Sequence, residues 1–152
     1  LLQGNLLTKK IHFECSLDPE MLVYADRTHL SLVMQNLISN AIKFTQQQGK
    51  IQVYASQQDD MIIICVADNG VGIASQRLSD LFQIETSFST VGTANEKGTG
   101  LGLILCHELV RENGGQIWAE STLSEGSRFY FTLPSSIRAL AVLDEDSSLK
   151  QN

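Results

Sequence analysis

Apolar residues recur at helical spacing across residues 26–45: Leu30, Val33, Leu37, Ile38, Ala41 and Ile42 fall at i, i+3, i+7, i+8, i+11 and i+12. Such a stripe commits the stretch to one long helix with a face in the core. Asp26 is placed to cap its start, and Gly49 lies just beyond its end. Another face of the same helix carries Asn36, Asn40 and Lys43 at i, i+4 and i+7. A solvated face normally carries Glu and Lys, so two amides and a lysine in one row ask for another account. Amide oxygens ligate hard cations such as magnesium, and a lysine ammonium meets phosphate. An ordinary surface face is the competing reading of those three residues.

The flanking pattern alternates between strands and helices. Ile11, Phe13, Cys15 and Leu17 point inward from a half-buried strand, and residues 22–25 suit a second, short one. Residues 1–10 carry too little pattern for an element and read as a linker or a cut end. Ile51, Val53 and Ala55 alternate, a polar turn covers 57–60, and 61–67 is almost continuously apolar. The pair predicts an antiparallel hairpin whose second strand is central. Ser75 suits the N-cap of a short helix over 75–82. A further helix, opened by residues 98–103 and carrying Leu103, Ile104, Leu105, Leu109 and Val110, is closed by Gly114-Gly115, and a last hairpin joins 117–120 to 128–133 through Ser124-Glu125-Gly126. The fold class expected is α/β: a two-layer sandwich, with a mixed β-sheet covered on one face by helices.

At 152 residues the chain suits one domain with a real core. A net charge of −6 argues against a general nucleic-acid or anionic-membrane surface, though not against a local phosphate pocket. No apolar run reaches the ~18 residues a bilayer span needs. Cys15, Cys65 and Cys106 stand far apart in apolar pattern and read as buried free thiols of a reducing compartment.

Two glycine-bearing segments carry the remaining chemistry. Asp68-Asn69-Gly70-Val71-Gly72-Ile73 puts an acid at the end of the apolar strand, where a charge needs a partner. A carboxylate there can accept the exocyclic amine of adenine, whereas guanine presents an acceptor and is repelled. A simple Asp-Asn-Gly turn is the alternative. Gly98-Thr99-Gly100-Leu101-Gly102-Leu103 opens the later helix and offers main-chain N–H groups to an anion, or merely a tight entry to the helix. It is no Walker loop, since no Gly-Lys-Ser/Thr follows.

Taken in order, residues 36–45, 68–73 and 98–103 resemble the N, G1 and G2 boxes of the ATP-binding domain of sensor histidine kinases. That family shares an ATPase superfamily with gyrase, mismatch-repair and heat-shock chaperone proteins. Leu81-Phe82 and Phe88 fall at its F box, and 114–118 with 126–129 resemble its closing hairpin. The likeness covers residues 11–134, which would form the catalytic domain.

The resemblance implies Mg-ATP as ligand. Asn40 would be the principal magnesium ligand with Asn36 close by; Lys43 would touch phosphate, and Phe44 would wall the nucleotide. Asp68 would hold the adenine amine, together with a water supported by Gly72 and Ser127, with Gly70, Ile73 and Phe82 beside it. Gly98, Gly100, Leu101 and Gly102 would offer amides to the phosphates, Thr99 would line the site, and 83–97 would be the ATP lid.

The implied reaction transfers the γ-phosphoryl group to a histidine on a separate dimerisation domain of the parent protein, which would serve a response regulator receiver domain. The expected setting is cytoplasmic, without direct membrane contact, although the parent could be membrane-anchored. Gln83 departs from the pattern, since many members carry a basic residue there; Lys97 or Arg77 is the candidate substitute. Asn36 replaces the glutamate base of hydrolytic relatives, which implies slow net hydrolysis. His107-Glu108 lacks the Pro-containing run of an acceptor site, so the acceptor histidine is expected outside these residues. Residues 135–152 read as a tail, or as the start of a truncated downstream domain whose first strand would fall in 139–146.

Overall fold

A computed structural model of the chain describes residues 2–83, 92–93 and 101–150. Its backbone is a five-stranded mixed sheet in the order β1-β2-β3-β5-β4. The strands are β1 (His12–Ser16), β2 (Lys50–Gln58), β3 (Met61–Asp68), β4 (Ile117–Thr122) and β5 (Gly126–Pro134). β1 and β2 run parallel because the long helix α2 (Arg27–Phe44) carries the chain back between them; every other pairing is antiparallel. β3 lies in the middle, paired on both sides, which accounts for its nearly unbroken apolar run.

The helical stripe does what its spacing requires. Val33, Leu37, Ala41 and Ile42 are buried against Ile51 and Val53 of β2, Ile62, Ile64 and Val66 of β3, and Phe129, Phe131 and Leu133 of β5. The helix α4 (Gly102–Glu112) completes that layer with Cys106, Leu109 and Val110. Asp26 caps α2 by accepting the His29 N–H at 2.9 Å. Asn113, which ends α4, receives the Asp26 N–H at 2.8 Å and so fastens the two helices together. Beyond it, Gly114 takes φ +81°, and the Gly115 N–H returns to the Val110 carbonyl, a helix stop that favours glycine. On the open sheet face Trp118 stacks on Tyr130 at 5.4 Å.

Several expectations are corrected. Residues 1–10, read as a linker, contain the helix α1 (Leu2–Lys9), which packs on α2. Residues 22–25 form no strand, only an isolated bridge from Val23 to Ser135. The short helix α3 spans just Ser75–Leu78, and Ala74, not Ser75, is its N-cap. Cys65 and Cys106 are buried, and burial pushes the Cys106 thiol up to about 12; Cys15, on edge strand β1, is exposed instead. Residues 139–146, suggested as an opening strand, lie within a helix, α5 (Ser136–Leu149). A short apolar run is ambiguous between the two periods, which explains that error.

Candidate active site

One side of α2 gathers the expected residues. Asn36 and Asn40 lie half-buried, one turn apart. The Asn36 Nδ2 donates to the Leu32 carbonyl at 2.9 Å, and its Oδ1 is turned toward α4, where a Cβ on Gly102 would stand 2.8 Å away. The Asn40 amide makes no hydrogen bond among the described residues. Lys43 lies over the ring of Phe44, its Nζ 4.9 Å from the centroid. Amide oxygens without a carboxylate cage suit magnesium, which keeps several waters and takes part of its shell from phosphate. Among the described residues no group of three or more His, Cys, Asp or Glu could form such a cage.

The Asp68 loop meets the same helix at its end. The Val71 N–H donates to the Phe44 carbonyl at 3.1 Å, and Gly70 lies so close that a Cβ would overlap that oxygen. Here glycine is required by space. Gly70→Ala is therefore expected to destabilise the fold by about 1–3 kcal/mol, since main chain must yield. Gly102→Ala should be mild, because only the end of the Asn36 side chain need move. Paired melting curves of the two variants check that order.

Asp68 ends β3 opposite Ser127. Its Oδ1 accepts the Gly70 N–H at 2.8 Å, so the local turn anticipated from Asp-Asn-Gly is present, and lone pairs remain for a ligand. Burial pushes this carboxyl up to about 6 from its usual 3.8, against the opposing pull of the Gly70 and Ser127 N–H groups. Gly72 needs its freedom, with φ +73° and the Thr122 carbonyl where a Cβ would be. Ile73 donates its N–H to Ser121 Oγ at 2.7 Å; that hydroxyl also sits 2.8 Å from the Gly126 carbonyl and 2.8 Å from Ser127 Oγ. Ser121 thus fastens the acid's loop to the last hairpin, and no motif singled it out.

Leu101 is the N-cap of α4 and supplies no side-chain cap, which leaves first-turn amides of α4 to other partners. Phe82 stacks on His107 of α4, with centroids 6.0 Å apart. The Gln83 side chain turns back to the Ser79 carbonyl at 3.3 Å. Gly98, Thr99 and Gly100 lie outside the described residues, as do Phe88 and Lys97. The described members of all three segments nevertheless adjoin one helix: Gly102 at Asn36, Gly70 and Val71 at Phe44.

Residues 25–137 match the family model described as histidine kinase-, DNA gyrase B- and HSP90-like ATPase. The chain belongs to that ATPase family. It is 43% identical over 114 residues to the phytochrome-like protein Cph1 of Synechocystis, covering 74% of this chain but only 15% of that protein. The catalytic domain of the histidine kinase ThkA superposes with a TM-score of 0.73 at 32% identity, over 88% of this chain and 84% of ThkA's solved domain. ThkA has also been solved in complex with the response regulator protein TrrA (TM-score 0.71, 28% identity, 89% and 37% covered). Full-length ShkA, solved with AMPPNP, matches at a TM-score of 0.73 and 28% identity, over 88% of this chain and 27% of that one. As a histidine kinase ATPase domain, the chain spans only a fraction of the length of the longer proteins it matches, 15% of Cph1 and 27% of full-length ShkA. None of the described helices is long and apolar enough to cross a membrane.

Proposed function

We propose that this ATPase-family domain binds Mg-ATP and presents the γ-phosphoryl group to a histidine on a separate dimerisation domain of a parent histidine kinase, which then serves a response regulator. The single observation that carries this is the meeting of three segments along α2: Asn36 against Gly102, and the Phe44 carbonyl against Gly70 and Val71. One small ligand could touch an amide row, a lysine, a buried acid and a helix entrance there. ATP has the matching parts. ShkA's complex with AMPPNP and ThkA's with TrrA support the nucleotide and the partner by analogy.

Each role follows from chemistry. Asp68 accepts the adenine amine and rejects guanine; Ser127, held by Ser121, supports a bridging water with Gly72. Phe44 walls the base, with Ile73 and Phe82 near it. Lys43 neutralises phosphate, as do the main-chain amides of Gly98, Gly100, Leu101 and Gly102, with Thr99 lining the site. Asn40, whose amide makes no hydrogen bond among the described residues, would hold magnesium, with the Asn36 Oδ1 assisting. Bound there, the ion would withdraw charge from the phosphates. Asn36 is no general base, so water is poorly activated and the phosphoryl group survives for a histidine acceptor. Catalysis is mostly positioning and charge neutralisation. The domain works in the cytoplasm on this reading, and residues 11–134 are its catalytic unit.

Gln83 favours a second reading, a nucleotide-sensing module that binds ATP and transfers nothing, because a neutral amide, donating to the Ser79 carbonyl, stands where many members carry a basic residue. Labelled ATP with the acceptor domain of the parent kinase separates the two. Acid-labile, base-stable label on a histidine is the expected outcome; ATP binding with no labelled histidine would establish the sensing module.

A further inference from the structure

Lys9 is the least expected side chain in the fold. It ends α1 with 6% of its surface exposed. Its three N–H donors are shared among acceptors that include the main-chain carbonyls of Ile42 at 2.8 Å, Lys43 at 3.1 Å and Thr45 at 3.0 Å, and Thr93 Oγ1 at 2.7 Å. Ile42 and Lys43 hold carbonyls of the last turn of α2, and Thr45 is its C-cap. A cation there meets both orphan acceptors and the negative end of the helix. Thr93 closes the arrangement: its hydroxyl accepts from Lys9 and donates to the Thr45 carbonyl at 2.8 Å, and its N–H donates to the Lys43 carbonyl at 3.0 Å.

An ordinary helix stop needs none of this. The last turn of α2 has a basic residue of its own, Lys43, and exposed carbonyls are commonly met by water. Here the cap is imported from another helix and buried, a costly place for an ammonium unless its donors are all used. Among the described residues it joins α1, the end of α2 that bears Lys43 and Phe44, and the loop residue Thr93. Asp68, by contrast, hangs from β3 and is held by Gly70 and Ser127.

We propose that Lys9 is a positioning residue for the phosphate end of the nucleotide site, so that a displacement of α1 is transmitted to Lys43 and Thr93. The proposal rests on the ATP reading above and deepens it with a regulatory input. It makes an asymmetric demand: phosphate-dependent affinity should depend on Lys9, and adenine-dependent affinity should not.

The test uses the 152-residue chain with Lys9→Met, Thr93→Val and both together. Calorimetry measures ATP and adenosine binding for each, beside a melting curve. Each single variant should lose ATP affinity by about tenfold, the scale of one charge-assisted hydrogen bond. Adenosine affinity should stay within about twofold, and the double variant should be no weaker than Lys9→Met alone, because the residues act as one unit. Thr93→Val carries the test if Lys9→Met does not fold, since it exchanges one hydroxyl for a methyl and leaves the Lys9 contacts to the α2 carbonyls in place. Unchanged ATP affinity with a lowered melting temperature would reduce Lys9 to a cap and overturn the proposal. So would equal losses for ATP and adenosine. Absence of ATP binding by the parent chain would overturn the function itself, and this inference with it.

Discussion

Replacing Asn40 with alanine is expected to cut magnesium-dependent phosphoryl transfer by about 10²–10³-fold, the effect of losing several kcal/mol of charge stabilisation at the transferring phosphate. The fold should not suffer. Asn40 lies inside α2, is half-buried, and makes no side-chain hydrogen bond among the described residues. Alanine is the better helix former there by about half a kcal/mol, so the melting temperature should hold or rise slightly. A structural asparagine would behave oppositely, losing stability before activity. Transfer assays over a magnesium series, with circular dichroism melting on the same samples, separate the outcomes. A variant with the parent's magnesium dependence would remove Asn40 from the metal's shell.

Asp68→Asn should weaken ATP binding by about 10–100-fold, as one hydrogen bond to a charged acceptor would. It should also erode the preference for ATP over GTP, because an amide can offer guanine a donor where the carboxylate offered repulsion. The same variant should stabilise the empty domain. The folded carboxyl sits at about 6 against an ordinary 3.8, so the proton is bound more tightly in the folded state. Its contribution to stability is therefore full below 3.8 and is lost as pH rises through about 6. At neutral pH the buried carboxylate costs the fold at most ~3 kcal/mol, of which asparagine should recover ~1–2.

Nucleotide binding responds to pH in the other direction. The carboxylate is the better acceptor for the adenine amine, so affinity should fall as pH drops through about 6 while the empty domain grows more stable. Asp68→Asn should flatten both trends and serves as the baseline for the protonation of ATP itself. Parallel pH profiles in parent and variant would detach Asp68 from the adenine. On the proposed function, the acid kept at the end of this buried strand at a cost in stability is the group that recognises adenine.

What could be read from the letters divides along physical lines. The long helix, the central hairpin and the closing hairpin were legible because each buries one face, and burial leaves a period of 3.6 or 2 in the sequence. The end of α4 was legible because Gly114 stands where φ must be positive. α1 was not, because its anchor is a lysine whose acceptors lie 33 to 84 residues downstream, invisible to any local period. Cys15 misled because β1 is an edge strand with one neighbour, where alternation guarantees less burial. Ser121 left no trace, since one hydroxyl bridging a loop to a hairpin has no sequence signature. The candidate site's members were proposed from three glycine- and amide-bearing segments, while the meeting of the described ones at Asn36 and Phe44 needed coordinates.

The most direct measurement of that joining is an Mg-ATP titration of the isotope-labelled chain followed by amide and side-chain NMR. The Asn36 and Asn40 amides should shift with Lys43, Gly70 and Gly102 along one binding curve, and GTP should leave them nearly still. Shifts confined to one segment, or ATP and GTP acting alike, would contradict a single adenine-nucleotide cavity on α2.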